Sequence, residues 1–432
     1  MTEKTMTATQ GALTANSIYG RVGLVLILFF TLLVAYLDRV NVSVLLADPA
    51  FLTDMGIKGQ PIQMGMLMTS FLIAYGLSNV LTGPLGDWLG PRKAMSISIL
   101  LWIVAVSFGG LATTFSLMII SRVILGIGEG MHWPMQSTFV KNWFPPHERG
   151  KANSVWLLGL MIGPAVAMPL FTAFVSGWGW RLSFWGLAIL GLIPLILIWF
   201  FTSDRPNESK YISKDELAYL KGELDKEAKA EQTACKMSLK ARIKTFILDY
   251  RFWSLTLCYF AIACEFWGIM AWLPSYLKVA RGFSWSQMGA LSSLPYILGA
   301  FSVLLFGHYS DKLGRRAPFL MLSQFATAFF IYLGAIVTDN FTSAILISFS
   351  VASVACGLPA AWSLLQKIVP ANTVGTGAGV MNGVSNGCSA FSPVLIGLFI
   401  SMTGSYMGGL MFLVGIGILG GLSMIALTIK KY

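Results

Sequence analysis

Apolar runs of roughly 20 residues recur along the whole chain, separated by short polar stretches. Each run is long enough to cross a hydrocarbon core of about 30 Å as a helix, and none shows the residue-by-residue alternation of a membrane barrel strand. The pattern predicts spans over 22–46, 64–86, 94–113, 115–138, 150–176, 181–202, 252–278, 286–309, 317–337, 342–364, 374–401 and 406–428. One stretch interrupts it: LVAYLDRVNVSVLL places the adjacent charges Asp38 and Arg39 inside the first run.

A single long polar segment, containing SKDELAYLKGELDKEAKA, separates the sixth run from the seventh. Its charges, with Glu223 one turn before Lys226 and Glu227, describe a solvated, partly helical linker. The expected organisation is an N-terminal tail (1–21), a six-helix unit (22–202), a cytoplasmic linker (203–249) and a second six-helix unit with a short tail (250–432). No small-residue cleavage site follows the first run, which therefore reads as a retained helix and not a signal peptide. The fold class expected is an all-α integral membrane protein of twelve helices in two pseudo-symmetric bundles.

Composition agrees with this reading. Hydrophobic residues make up 56% of the chain and charged residues 11%, against roughly 25% charged in a soluble domain. The formal charge of +11 would suit a polyanion, but its carriers are spread through short loops. Arg92 and Lys93, Lys141 with Arg149 and Lys151, Lys312 with Arg315 and Arg316, Lys367, and Lys430 with Lys431 fall in alternate loops or at the tail. Loops of the other parity hold only Lys58, Arg181, Lys278 and Arg281. By the positive-inside rule the basic loops and both termini are cytoplasmic, so the charge reports topology and no nucleic-acid partner is expected. The 5 cysteines lack metal-ligand spacing and read as small packing residues.

The two halves share a motif. GPLGDWLGPRK (83–93) follows the second span and GHYSDKLGRR (307–316) follows the eighth. Each places Asp four residues after Gly, a second Gly three further on, and basic residues after that. Such duplication marks a parallel-repeat transporter. Gly83, Asp87, Gly90, Arg92, Asp311 and Arg315 are assigned to conformational gating, with a plain charged turn as the alternative for the charged positions, because glycines allow close helix approach and the acid can accept bonds from a basic group or a helix N-terminus.

Ionisable residues inside the runs are few: Asp38, Arg39, Arg122, Glu129, His132 and Glu265. Each costs at least about 2.5 kcal/mol at the middle of a span, which makes it a candidate for function. Counting along the runs places Asp38, Arg39 and Arg122 at similar depth, with Glu129 two turns from Arg122 on the same face. Arginine keeps its charge and grips an oxyanion with two prongs, whereas a carboxylate shielded from water can take up and release a proton. Arg39 and Arg122 are thus expected to hold an anion, or else to form a fixed salt bridge. Asp38 and Glu129 are expected to carry protons. A narrower expectation is that Arg39 faces the anion while Asp38 meets Arg122.

The GxxxDxxGxRK loop and its second copy resemble the signature of the major facilitator superfamily. DRVN (38–41), RVILGIGEG (122–130) and WFPPHERGKA (143–152) are similar to its anion:cation symporter branch, which includes bacterial carriers for galactonate, glucarate and hexuronates. The resemblance covers essentially the whole chain. It implies that Asp38 and Glu129 are the proton-carrying carboxylates, and that Arg39, Arg122, Tyr75 and Asn386 bind substrate. Where sugar-acid binders of the branch can carry glutamine in the fifth span, this chain has Leu160. Glu265 is a further candidate to bind a substrate hydroxyl or ammonium or to be a third proton site, with a structural carboxylate as the alternative. His132 reads as a packing residue or a proton relay, and Trp267, Trp272 and Trp362 as cavity or packing residues.

The expected function is proton-coupled uptake of a small organic anion, a sugar acid or related carboxylate, by alternating access. Alternatives are an exchanger of organic acids or organic phosphates and a transporter-like solute receptor. No HExxH or phosphate-cradling loop is present, so no enzyme is expected. The expected partners are protons, the anion and the bilayer of a bacterial inner membrane. The proton gradient replaces any cofactor, and the carrier is expected to work as a monomer.

Overall fold

The computed structural model describes residues 15–82, 85–233, 238–313, 315–370 and 373–432. Among them are twelve helices long and apolar enough to cross a membrane. We number these α1 (Gly20–Leu45), α2 (Pro61–Thr82), α3 (Pro91–Leu111), α4 (Phe115–Trp143), α5 (Pro146–Trp178), α6 (Trp180–Phe201), α7 (Tyr250–Ala280), α8 (Trp285–Phe306), α9 (Ala317–Ile336), α10 (Asn340–Ile368), α11 (Val374–Thr403) and α12 (Tyr406–Ile429).

Local chemistry sets their ends. Proline occupies the first turn of α2, α3 and α5, where its missing N–H costs nothing. Thr114 caps α4 by accepting from the Leu117 N–H, and Asp339 caps α10 by accepting from Thr342. Gly179 (φ 83°) turns the chain from α5 into α6, and Gly404 (φ 66°) turns it from α11 into α12. The two halves thus reuse similar punctuation at corresponding joints.

Packing repeats with the same offset of six. The α2–α4, α3–α4, α1–α5, α3–α6 and α1–α6 pairs recur as α8–α10, α9–α10, α7–α11, α9–α12 and α7–α12. Because lipid tails are as apolar as the side chains, close backbone approach has to supply much of this association. The halves meet mainly through α2 with α11 and α5 with α8. A Cβ at Gly397 would lie 2.3 Å from the Pro61 carbonyl oxygen, one at Gly65 2.4 Å from that of Pro393, and one at Gly289 3.0 Å from Thr172. With an even number of spans the termini share one face, and all three contacts lie toward the opposite face. That far end is closed.

The segment joining the halves is itself divided between them. Arg21 of α1 donates to Glu148 at the start of α5 and, through Nε, to Glu216 on the helix Lys214–Thr233. Tyr219 on the same helix donates to Glu148, and Leu220 is fully buried. Further on, Phe246 packs on Phe252 of α7. The expectation of one solvated linker therefore needs adjustment: apolar side chains and an arginine bridge seat its first part on the first half, while its end joins the second.

Candidate functional site

Three glycines of α4 place the site. Gly126 and Gly130, one turn apart, face α2; a Cβ on either would lie 2.5 Å from the carbonyl oxygen of Phe71 or Tyr75. Gly128 faces α3, where Ser98 donates to its carbonyl at 2.7 Å. With those faces committed to neighbouring backbone, Glu129 points toward α1. There Arg39 Nε donates to Glu129 Oε2 at 2.6 Å in a pair hidden from solvent.

Aromatic rings enclose the Arg39 guanidinium. Its central carbon lies 4.6 Å from the ring centre of Tyr36, 4.7 Å from Tyr75, 5.5 Å from Phe71 and 5.8 Å from Trp267. Tyr36 and Arg39 share a face of α1, as Phe71 and Tyr75 do of α2, so short helical spacings build three walls of the cage. Trp267 comes from α7 and brings the second half to the site.

Arg122 is arranged differently. Its Nε donates to the Leu67 carbonyl at 3.3 Å and its guanidinium lies 4.8 Å from the Phe71 ring centre. Nη1 and Nη2 are buried without a hydrogen-bond partner, as are both carboxylate oxygens of Asp38 and Oε1 of Glu129. Asp38 and Arg122 lie within electrostatic reach of each other, as expected, but neither hydrogen-bonds the other. Arg39 is engaged by Glu129 while Phe71 approaches both guanidinium groups, leaving Arg122 with the free two-pronged face.

The second half offers neutral polar groups. Trp267 Nε1 donates to Asn386 Oδ1 at 3.4 Å, and Asn386 Nδ2 donates to Asn382 Oδ1 at 2.8 Å. The Tyr259 hydroxyl donates to the same Asn382 oxygen at 3.4 Å, and the Tyr259 ring packs edge-on against Trp362. Tyr75 and Asn386 are thus joined to the Arg39 region, and Leu160 is half-buried. Asn382 and Tyr259 were not singled out from the sequence; their signals were the i,i+4 spacing of the two asparagines and a tyrosine two turns before Trp267.

Two other expected site residues lie elsewhere. Glu265 is turned between α9 and α12, where Gln324 donates to it at 3.0 Å, and it makes no bond to the arginines. Placing it among substrate ligands is corrected on that ground: the face of α7 that carries it packs against its own half. His132 sits beside Gln136, whose Nε2 lies 3.2 Å from the His132 Nε2 and donates to the Leu28 carbonyl at 2.9 Å, tying α4 to α1.

Of the gating positions, Gly83 and the side chains of Asp87 and Asp311 lie outside the described residues. Gly90 adopts φ 79°, and the Arg92 N–H donates to Asp204 Oδ1 at 2.7 Å. Asp204 also accepts the Asn142 side chain through its carbonyl at 3.1 Å, so the chain leaving α6 ties the start of α3 to the end of α4. The Arg92 guanidinium packs 5.0 Å from the Trp199 ring centre. Arg315 is exposed. Among the described residues no group of histidine, cysteine and acidic side chains could hold a metal ion.

Comparison with known proteins adds an independent line. The family described as the Major Facilitator Superfamily matches residues 28–393. A probable sulfoacetate transporter of Cupriavidus necator is 30% identical over 392 residues, 89% of this chain and 87% of that protein. The hexuronate transporter of Bacillus subtilis is 27% identical, covering 93% of each chain. The D-galactonate transporter of Escherichia coli is 28% identical over 93% of this chain and 94% of its own length. In fold, the chain is similar to the inward-open xylose transporter of E. coli, with a TM-score of 0.73 at 15% identity over 94% of this chain and 95% of that one.

Proposed function

From the premise that this chain belongs to the Major Facilitator Superfamily, a family of transporters and not of enzymes, we propose that it takes up a small organic anion together with protons. The observation that carries the proposal is the division between the two buried arginines: Glu129 holds Arg39, while Arg122 keeps two unpartnered nitrogens within electrostatic reach of Asp38, which itself accepts no hydrogen bond.

In this reading the acid group of the substrate takes the two free prongs of Arg122, a geometry that suits a carboxylate or sulfonate. Two arginines and two ionised carboxylates balance in charge, so an entering anion is best accommodated when a carboxylate takes a proton. Protonation of Glu129 removes the counter-charge from Arg39 and frees it to turn toward the substrate. Protonation of Asp38 removes the nearby negative charge that would repel the anion. The Trp267–Asn386–Asn382–Tyr259 chain then meets the remainder of the substrate. Amide and phenol groups match the hydroxyls of a sugar acid, and the named relatives carry a hexuronate and a galactonate.

With the far end closed, this state would release substrate and protons toward the end that holds the termini. Rocking of the halves about α2–α11 and α5–α8 would expose it to the other side. We assign the terminal face to the cytoplasm of a bacterium from the loop charges, and the working unit to a monomer. Replacing Glu129 by Gln keeps the shape and removes the titrating group. Proteoliposomes carrying Glu129→Gln are expected to lose accumulation driven by a pH gradient while retaining counterflow of labelled D-galactonate or D-glucuronate. Accumulation at the wild-type level would refute the role of Glu129.

A further inference from the structure

The second half holds an acid that the central site does not use. Glu265 lies on α7, fully buried, two residues before Trp267. Gln324 Nε2 of α9 donates to its Oε2 at 3.0 Å. The other oxygen of each partner, Glu265 Oε1 and Gln324 Oε1, is buried and has no hydrogen-bond partner.

Both orphaned oxygens face one stripe of α12. A Cβ at Gly417 would lie 2.5 Å from Glu265 Oε1, and one at Gly420 would lie 2.4 Å from Gln324 Oε1. These glycines are three residues apart on one helix face, so the helix is shaped to admit the pair edge-on. Among the described residues, no cation lies close enough to Glu265 to balance an ionised acid. The titratable groups of α7 nearest to it are Cys258 and Cys264; α9 carries only Tyr332 and α12 only Tyr406. An isolated carboxylate and two unsatisfied acceptors in such a place would all be costly.

One proton removes all three penalties. With hydrogen on Glu265 Oε1, that oxygen donates to Gln324 Oε1 while Gln324 Nε2 donates to Glu265 Oε2, closing a two-bond ring between acid and amide. We propose that Glu265 and Gln324 form a proton-holding site within the second half, in which Glu265 remains the neutral acid throughout the transport cycle. The proton is taken from water when the site forms and stays there. Glu265 is a positioning residue: the ring fixes the register of α7 against α9 and α12, and with it Trp267, which reaches both Arg39 and Asn386.

Infrared difference spectra of the full chain in lipid test this without reference to transport. Wild type minus Glu265→Gln is expected to show the C=O stretch of a hydrogen-bonded protonated carboxyl at neutral pH, shifted downward in heavy water. A carboxylate doublet in its place would overturn the proposal. Gln324→Leu keeps Glu265 and removes its partner, so the same stretch is expected to move to higher frequency; a stationary band would also overturn the proposal.

The transport arm rests on the proton-coupled reading above. Gln at 265 can make the same two-bond ring with Gln324, so Glu265→Gln is expected to accumulate labelled D-galactonate under a pH gradient as wild type does. Loss of accumulation with retained counterflow would make Glu265 a cycling proton carrier and contradict the inference. If wild type itself shows no gradient dependence, the coupling reading fails while the infrared result still decides the state of Glu265.

Discussion

Replacing Arg122 by Lys separates the two arginines. Arg122 has committed only Nε, to the Leu67 carbonyl, and its two terminal nitrogens are the free donors. An oxyanion bound there gains two charge-assisted hydrogen bonds, each contributing roughly 1.5–3 kcal/mol. Lysine retains the charge but presents a compact donor in place of the planar fork, so about one bond is lost. At 1.4 kcal/mol per tenfold, affinity should fall roughly 10- to 150-fold. Arg39→Lys alters a side chain already engaged by Glu129 and should disturb proton coupling more than anion affinity. Quenching of tryptophan fluorescence by D-galactonate, D-glucuronate and sulfoacetate, with melting curves as a check on folding, measures both variants. Wild-type affinity in Arg122→Lys together with a tenfold or greater loss in Arg39→Lys would refute the assignment of the free fork to Arg122.

Gly397→Ala places a methyl group 2.3 Å from the Pro61 carbonyl, main-chain matter that no rotamer change can move aside. Overpacking of about 1–3 kcal/mol should weaken the far-end closure and shift the two-state balance roughly 5- to 150-fold. Spin labels at the exposed Thr53 and Ser286 should show a larger population at long separation, and an unchanged distribution would contradict the closure. Gly90→Ala meets both a φ of 79° and the Asp204 carboxylate, 2.5 Å from the added Cβ. It should lower stability by about 1–2 kcal/mol in thermal melts, and no loss would show that the Asp204 cap is dispensable.

Much of the fold is legible because membrane spans announce themselves by length. The second span, expected over 64–86, is helical over Pro61–Thr82, and the seventh, expected over 252–278, is Tyr250–Ala280. Proline at a first turn or a capping side chain such as Asp249 moves these ends by a few residues. The central charges were also legible, since each is too costly in a membrane to be incidental.

Their pairing was not. Asp38 and Arg39 are adjacent, but which of them meets α4 depends on how Gly126, Gly128 and Gly130 rotate that helix against two neighbours. Depth along a helix follows from counting residues; azimuth follows from packing. Glu265 shows the same limit. Helix α7 is buried on nearly every side, so no polar stripe reveals that the acid faces Gln324 and Gly417 while Trp267 faces Arg39. Asp204 was hidden for another reason, because its role is a backbone cap on a helix more than one hundred residues away in the chain.

The central claim is that anion and proton move together, and the direct measurement is their flux ratio in proteoliposomes containing the purified chain. With an imposed gradient that makes the outside acidic, labelled D-galactonate or D-glucuronate should accumulate above its external concentration, accompanied by acidification of the lumen. A protonophore should abolish the accumulation, and the flux ratio should stay fixed as the gradient is varied. Accumulation that ignores the gradient, or anion entry with no accompanying proton, would contradict the account.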